Sequence, residues 1–204
     1  MIDLFTAATP QGWMVSIALE ELGMPYRVHP VNLATEEQKQ PWLIKINPNG
    51  RIPAIVDRGH DDFAVFESAA ILLYLSERAG RLLPKDARDR SRVIQWLVLQ
   101  SAGLGPTLSE ARHFRSQAPT PQPYAIERFQ RESTRLVEVL EQRLQASEYL
   151  GGHDYSIADI AHWCACQGAA DGGVPLVAYP ALRRWVARIG ERPAVQRGRR
   201  VPVG

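Results

Sequence analysis

Asn47-Pro48-Asn49-Gly50-Arg51-Ile52-Pro53-Ala54-Ile55-Val56-Asp57 is a turn followed by a strand that begins at a proline. Asn-Gly supplies the turn, and the apolar run over 52–57 supplies the strand. A proline at the start of a buried strand removes an N–H that the sheet could use. If the Ile52–Pro53 bond is cis, Ile52 turns outward and offers its N–H and C=O to an extended, peptide-like ligand as an added strand. If it is trans, Pro53 merely opens the strand. The residues alone leave both readings open.

The neighbouring segments place this strand in a fold. Downstream, Arg58-Gly59-His60-Asp61-Asp62 turns into a fourth strand over 63–66, and a helix over 69–78 follows, stopped by Gly80. Upstream lie a first strand over 2–6, the breaker Thr9-Pro10-Gln11-Gly12, a helix over 15–22 stopped by Gly23, a second strand over 26–31 and an irregular polar helix over 35–46. The order β-α-β-α-β-β-α predicts a parallel strand pair joined through a helix, then an antiparallel hairpin. That is a thioredoxin-like α/β domain over 1–80.

The pattern changes after a loop-rich linker over 81–87. Residues 89–115 and 124–147 are long charged helical patterns, separated by a proline-stiffened loop over 117–123. Ser156 and Asp159 have capping-box spacing, with Tyr155 and Ile160 at the staple positions, and residues 182–189 form a last helix. No strand pattern appears, so 88–204 reads as an all-helical domain. The first 80 residues are net acidic and the remainder net basic, which also separates the halves.

Composition narrows the function classes. With 204 residues, 45% apolar and 23% charged, the chain can bury a core without metal or disulfide support. Its longest apolar run, over 69–75, is too short to span a bilayer, and the N-terminus lacks a signal-peptide pattern, so a cytoplasmic address without membrane contact is expected. Cys164 and Cys166 are two apart, neither a CxxC pair nor a disulfide framework, and read as small buried hydrophobes. Neither cysteines nor histidines show zinc spacing, so no metal is expected, and His29, His60, His113, His153 and His162 read as surface or cap residues. Basic residues are interleaved with acids except for Arg197, Arg199 and Arg200, read as a solvated end, so no nucleic-acid partner is expected.

Three short segments can carry chemistry. At Thr9-Pro10-Gln11-Gly12, a hydroxyl and unpaired N–H groups at a helix start attract an anion such as a thiolate, although threonine also caps helices without further purpose. At Ile52-Pro53, the backbone could pair with an extended ligand. At Phe66-Glu67-Ser68, Ser68 is placed to cap the next helix with its N–H toward a carboxylate, and Glu67 could receive an ammonium. Together they would hold a zwitterionic amino-acid end; the plain alternative is a capped helix with an acid beside it.

In this order, on this element pattern, the chain resembles the glutathione transferase superfamily. The likeness rests on Asn-Pro-x-Gly-x-Ile-Pro, Glu-Ser and the Ser-Ile-Ala-Asp capping box, and it spans all but about the last ten residues. Met1-Ile2-Asp3-Leu4, Thr9-Pro10, Trp96-Leu97, Gly103-Leu104-Gly105-Pro106, His113-Phe114 and Pro123-Tyr124-Ala125-Ile126-Glu127-Arg128 are similar to the bacterial Nu class, whose members reduce disulfides with glutathione. The resemblance implies glutathione, reduced or oxidised, as co-substrate. It implies that Thr9 directs its hydroxyl at the glutathione sulfur, that Ile52, ahead of a cis Pro53, pairs with the cysteinyl backbone, and that Glu67 and Ser68 hold the γ-glutamyl end. It places Gln38 and Lys39 near the glycyl end, with Gln11 and Arg51 in the same binding set, and has Arg128 reach across a homodimer. Gln11 stands where the class favours Asn, and Trp13 replaces a smaller polar residue and would narrow the site's mouth. Neither a tyrosine at Phe5 nor a cysteine near Thr9 is present, which disfavours classes built on those nucleophile partners.

Three functions compete. The leading one is a glutathione-dependent disulfide-bond reductase whose thiol comes from the ligand. The others are a conventional transferase conjugating small electrophiles and a non-catalytic binding module that keeps only the fold. The complete set Thr9, Ile52-Pro53 and Glu67-Ser68 argues against the last.

Overall fold

The computed structural model describes residues 1–202. The chain forms two units, Met1–Arg81 joined by the segment from Glu191 onward, and Leu82–Gly190.

In the first unit, β1 (Ile2–Thr6) leads into α1 (Pro10–Leu22), then β2 (Tyr26–Pro30), α2 (Pro41–Ile44), β3 (Ala54–Asp57), β4 (Phe63–Phe66) and α3 (Ser68–Ala79). The four strands form one sheet in the order β2-β1-β3-β4. β1 and β2 are parallel, as a helical crossover requires, while β3 runs antiparallel to both β1 and β4. β1 is central and buried along its whole length, which accounts for its apolar Ile2, Leu4 and Phe5. Phe5, Val31, Leu43 and Val56 form a core cluster joined at its margin by Ile46, Ile52 and Ala64.

Several boundaries differ from the sequence reading. The breaker at Thr9-Pro10-Gln11-Gly12 is itself the first turn of α1: Pro10 opens the helix, where its missing N–H is not needed. Gly12 is required there, since a Cβ would lie 2.3 Å from the Ala7 carbonyl oxygen and 2.4 Å from Thr6 Oγ1. The polar helix expected over 35–46 is a 3-10 turn (Glu37–Lys39) and the short α2, because Pro41 holds Gln40 extended and divides them. β3 begins at Ala54, not at Ile52.

The second unit holds α4 (Ala87–Leu99), α5 (Gly105–Ser116), α6 (Pro123–Ala146), α7 (Ile157–Cys166) and α8 (Pro180–Gly190). The helix expected over 89–115 is split by a π-helical turn, Gln100–Leu104. Pro106 cannot donate to the carbonyl four residues back, and the Gly105 N–H instead reaches the Gln100 oxygen five back. Buried carboxylates organise this unit. Glu141 on α6 accepts from the Ala181 and Leu182 N–H groups at 3.1 and 2.8 Å, capping α8 from another helix. Burial pushes the Glu141 carboxyl up, but those N–H groups and Gln145 hold it below its ordinary value. The Ser156–Asp159 capping box forms as expected, and Asp159 also accepts from the Leu150 N–H and from Trp185 Nε1 at 2.9 and 3.1 Å.

Two expectations about side chains are overturned. His162 is a core residue, not a surface one: its Nε2–H donates to the Trp96 carbonyl at 2.8 Å, and burial pushes its pKa down to about 4. The arginine-rich end is not simply solvated. Residues from 191 onward, expected with the helical domain, belong to the first unit, where α9 (Pro193–Gly198) packs on α1.

Asp57 at the end of β3 is buried and accepts from Tyr74 Oη at 2.6 Å, from the Gly59 N–H at 3.0 Å and from Arg78. Burial raises its pKa, but these three donors hold it net below the ordinary value. Its contribution is therefore present above the unfolded carboxyl value of about 3.9 and is lost as pH falls through the lower folded value. Urea unfolding should show stability falling below about pH 4, with a shallower fall in Asp57→Asn, which has no carboxylate to protonate. Equal slopes in the two proteins would show that Asp57 does not contribute.

Candidate functional site

Strand register brings the three chemistry-bearing segments to one edge of the sheet. Phe5 pairs with Ala54, and Ala54 pairs with Phe66. The C-terminal end of β1, the N-terminal end of β3 and the C-terminal end of β4 therefore lie side by side. The segments just beyond them carry Thr9, Ile52-Pro53 and Glu67-Ser68. α1 starts after β1 and α3 after β4, so two helix N-termini, each with unpaired N–H groups, meet at this edge.

Thr9 is the N-cap of α1, and its Oγ accepts the Gly12 N–H at 3.2 Å. That bond occupies an acceptor position and leaves the hydroxyl proton available to donate. The Ile52–Pro53 bond is cis. Ile52 precedes β3, so its N–H and C=O lie outside the β1–β3 ladder. Pro53 is buried and Arg51 exposed.

Ser68 does not cap α3. Glu67 holds the N-cap position with φ 66 and ψ 118 and no capping side-chain bond, and Ser68 is the first helical residue. The Ser68 N–H is thus one of the unpaired donors of the helix start. Gln11 is exposed on the first turn of α1. Gln38 is half-buried in the 3-10 turn, with a buried Oε1 that has no protein partner. Trp13, expected to narrow the mouth of the site, has the Arg199 guanidinium 5.8 Å from its ring, so the C-terminal segment takes up its bulk. Arg128 lies exposed on α6 in the second unit, one turn before Glu132.

Two residues of this edge escaped the sequence reading. Buried Asn47 donates through Nδ2 to the Arg51 carbonyl at 2.7 Å and accepts the Asn49 N–H at 3.0 Å, tying the loop closed behind Ile52. Asn49 Nδ2 reaches Glu67 Oε1 at 3.2 Å, linking this loop to the start of α3. Asn-Pro-Asn-Gly signals a turn, and nothing in its spacing separates a turn-forming asparagine from one that reaches another loop.

The thiols lie elsewhere. Cys164 and Cys166 are both buried on α7, neither in a disulfide, and burial pushes the Cys166 thiol up to about 12. Among the described residues no group of His, Cys, Asp and Glu could hold a metal ion, and no helix is long and apolar enough to cross a membrane.

Comparison with known families identifies both parts of the chain. The glutathione S-transferase N-terminal domain model matches residues 8–78, and the C-terminal domain model matches 111–193. The chain belongs to the glutathione S-transferase family. Disulfide-bond oxidoreductase YfcG of Escherichia coli is 46% identical over 198 residues, covering 95% of this chain and 92% of that protein. A family member from Pseudomonas fluorescens, crystallised with two glutathione bound, superposes with a TM-score of 0.94 at 37% identity, covering 98% and 93% of the two chains. A glutathione transferase from Pseudomonas putida, with one glutathione disulfide bound per subunit, gives 0.93 at 35% identity over 98% and 91%. The C-terminal model ends at 193, so most of α9, which packs on α1, lies outside the matched C-terminal domain.

The Glu67 backbone generates a prediction for this family member. A non-glycine residue at φ 66, ψ 118 stores strain of order 1–3 kcal/mol. Glu67→Gly should release part of it and raise the melting temperature by about 2–4 °C, even though an acidic group is lost from the site edge. Calorimetry showing a lower melting temperature would mean that the Glu67 side chain stabilises the fold more than its backbone strains it.

Proposed function

We propose that the chain is a glutathione-dependent disulfide-bond reductase in which bound glutathione supplies the nucleophilic thiol. The observation that carries this is the pairing of a thiol-receiving edge with the absence of a protein thiol at it. Thr9 at the start of α1 has a proton to donate, while both cysteines are buried on α7. The names of the relatives support the reading: a disulfide-bond oxidoreductase at 46% identity, and structures holding glutathione or its disulfide.

The residues divide the work by chemistry. The Ser68 N–H at the start of α3 takes the γ-glutamyl carboxylate, and Glu67 takes the ammonium. The free N–H and C=O of Ile52 pair with the cysteinyl backbone as a short added strand. Gln38 and Arg51 hold the glycyl end, and Gln11 stands on the first turn of α1 for a second glutathione. The sulfur then lies by Thr9, where the hydroxyl and the positive helix end favour the thiolate. The thiolate attacks one sulfur of the substrate disulfide, forming a mixed disulfide and releasing the other sulfur as a thiolate. A second glutathione thiolate attacks the glutathionyl sulfur, giving oxidised glutathione and the second reduced thiol. We place this activity in the cytoplasm, where thiols are kept reduced.

Assays with glutathione and a small disulfide test this. Thr9→Ala should lose roughly ten- to a hundredfold in turnover, the worth of one hydrogen bond to a charged sulfur. The Cys164→Ser, Cys166→Ser double variant should keep wild-type turnover. A folded but inactive double variant would show that a protein thiol takes part, and conjugation of a small electrophile exceeding disulfide reduction would favour a conventional transferase.

We also infer a two-fold homodimer in which Arg128 reaches the partner's glutathione. Large apolar side chains are exposed at Phe63 and Phe66 on β4, Val98 on α4 and Tyr124 on α6, which suits an interface. Sedimentation should give a dimer at micromolar concentration; a fully active monomer would remove both the interface and the Arg128 role.

A further inference from the structure

Thr9, Trp13, Ser16, Ile17, Glu20 and Glu21 follow the spacing that puts residues on one face of a helix, with Thr9 at the end where α1 begins. Residues 192–199 engage every member of that stripe after Thr9. Arg192 forks onto Glu21, Nε to Oε1 at 2.6 Å and Nη2 to Oε2 at 2.9 Å. Arg197 Nε donates to Glu20 Oε2 at 2.6 Å. Ser16 Oγ donates to the Gly198 carbonyl at 2.7 Å, a buried bond. Arg199 places its guanidinium 5.8 Å from the Trp13 ring.

The contact at Gly198 is backbone against backbone. A Cβ there would lie 2.6 Å from both the nitrogen and the Cα of Ile17, so no other residue permits this approach unless one element shifts. Glu20 and Glu21 stand at the C-terminal end of α1, where the helix dipole disfavours acids, and the two arginines neutralise them. The segment therefore holds α1 against both sliding and rotation. The last link to the site is short: the Trp13 N–H donates to the Thr9 carbonyl at 2.9 Å.

We propose that residues 192–199 are a positioning rail for α1, and that Gly198 and Arg199, through Ile17 and Trp13, set where Thr9 meets the reacting sulfur. This rests on the glutathione reading above. The rail packs on α1, so it acts on the thiolate and not on the hold over the peptide backbone. Displacement of a reacting group by about 1 Å can cost on the order of a hundredfold in rate.

The experiment compares wild type with Gly198→Ala, Ser16→Ala, Arg199→Ala and Arg199→Lys. Four quantities are read: turnover, KM for glutathione, the ultraviolet titration of the bound thiolate, and hydrogen exchange of the Gly12 and Trp13 amides without ligand. Gly198→Ala should lower kcat at least tenfold with little change in KM, move the thiol titration to higher pH and speed exchange at the two amides. Ser16→Ala and Arg199→Ala should move the same readouts less, and Arg199→Lys should restore them. Folded variants with wild-type kcat, titration and exchange overturn the proposal. If Gly198→Ala does not fold, the two milder variants decide in the same way. A wild-type protein with no thiolate signal removes the glutathione reading and the catalytic role of the rail with it; unchanged amide exchange alone overturns the mechanical grip.

Discussion

The antiparallel pairing of β3 with β1, in the register that sets Phe5 opposite Ala54, is the constraint on which the site depends. It brings the start of one strand level with the end of another, and the Ala54–Phe66 pair extends that alignment to β4. Both faces of β1 and β3 are buried, so a slip of one residue would exchange every side chain between two packed faces and is disfavoured. The register is thus fixed by burial, and the loops that follow inherit their positions. Thr9, Ile52 and Glu67 converge without any direct bond among the three, because each is anchored to a strand end that cannot move independently.

The helical unit solves a different problem, the satisfaction of buried helix ends. Glu141 supplies the cap that α8 lacks in its own sequence, and Asp159 joins the start of α7 to Leu150 and Trp185. Both carboxylates meet several donors at a helix start; at Glu141 these outweigh the cost of burial, while at Asp159 burial still pushes the carboxyl up. The π turn at Gln100–Leu104 belongs to the same account. It answers a proline that cannot donate, and by adding a residue to the turn it changes which face α5 presents.

Elements whose signals are local could be read directly from sequence. β1 and β4 have the bounds read from the sequence, and the Ser156–Asp159 box forms, because strand alternation, glycine stops and capping spacing act over a few residues. The edge residues Thr9, Ile52 and Glu67 were legible for the same reason. What was not legible depends on local backbone conformation or on partners distant in sequence. Ser68 looks like a cap until the Glu67 backbone is seen to occupy that position. His162 has the spacing of a surface residue but finds the Trp96 carbonyl, 66 positions away. Arg197 and Arg199 read as a loose charged end, yet they meet Glu20 and Trp13 across most of the chain length. No periodicity records such pairings.

The burial of Cys164 and Cys166 bears on how the molecule ages. Oxidants act on exposed thiolates, and a sulfur beyond reach of solvent, with its thiol pushed up to about 12 as at Cys166, presents almost none. The steps from sulfenic to sulfinic and sulfonic acid, which end the working life of many cysteine enzymes, have no accessible starting point on these two side chains. On the proposed mechanism the reactive sulfur is carried by a diffusible tripeptide, so over-oxidation consumes a replaceable small molecule and leaves the polypeptide intact.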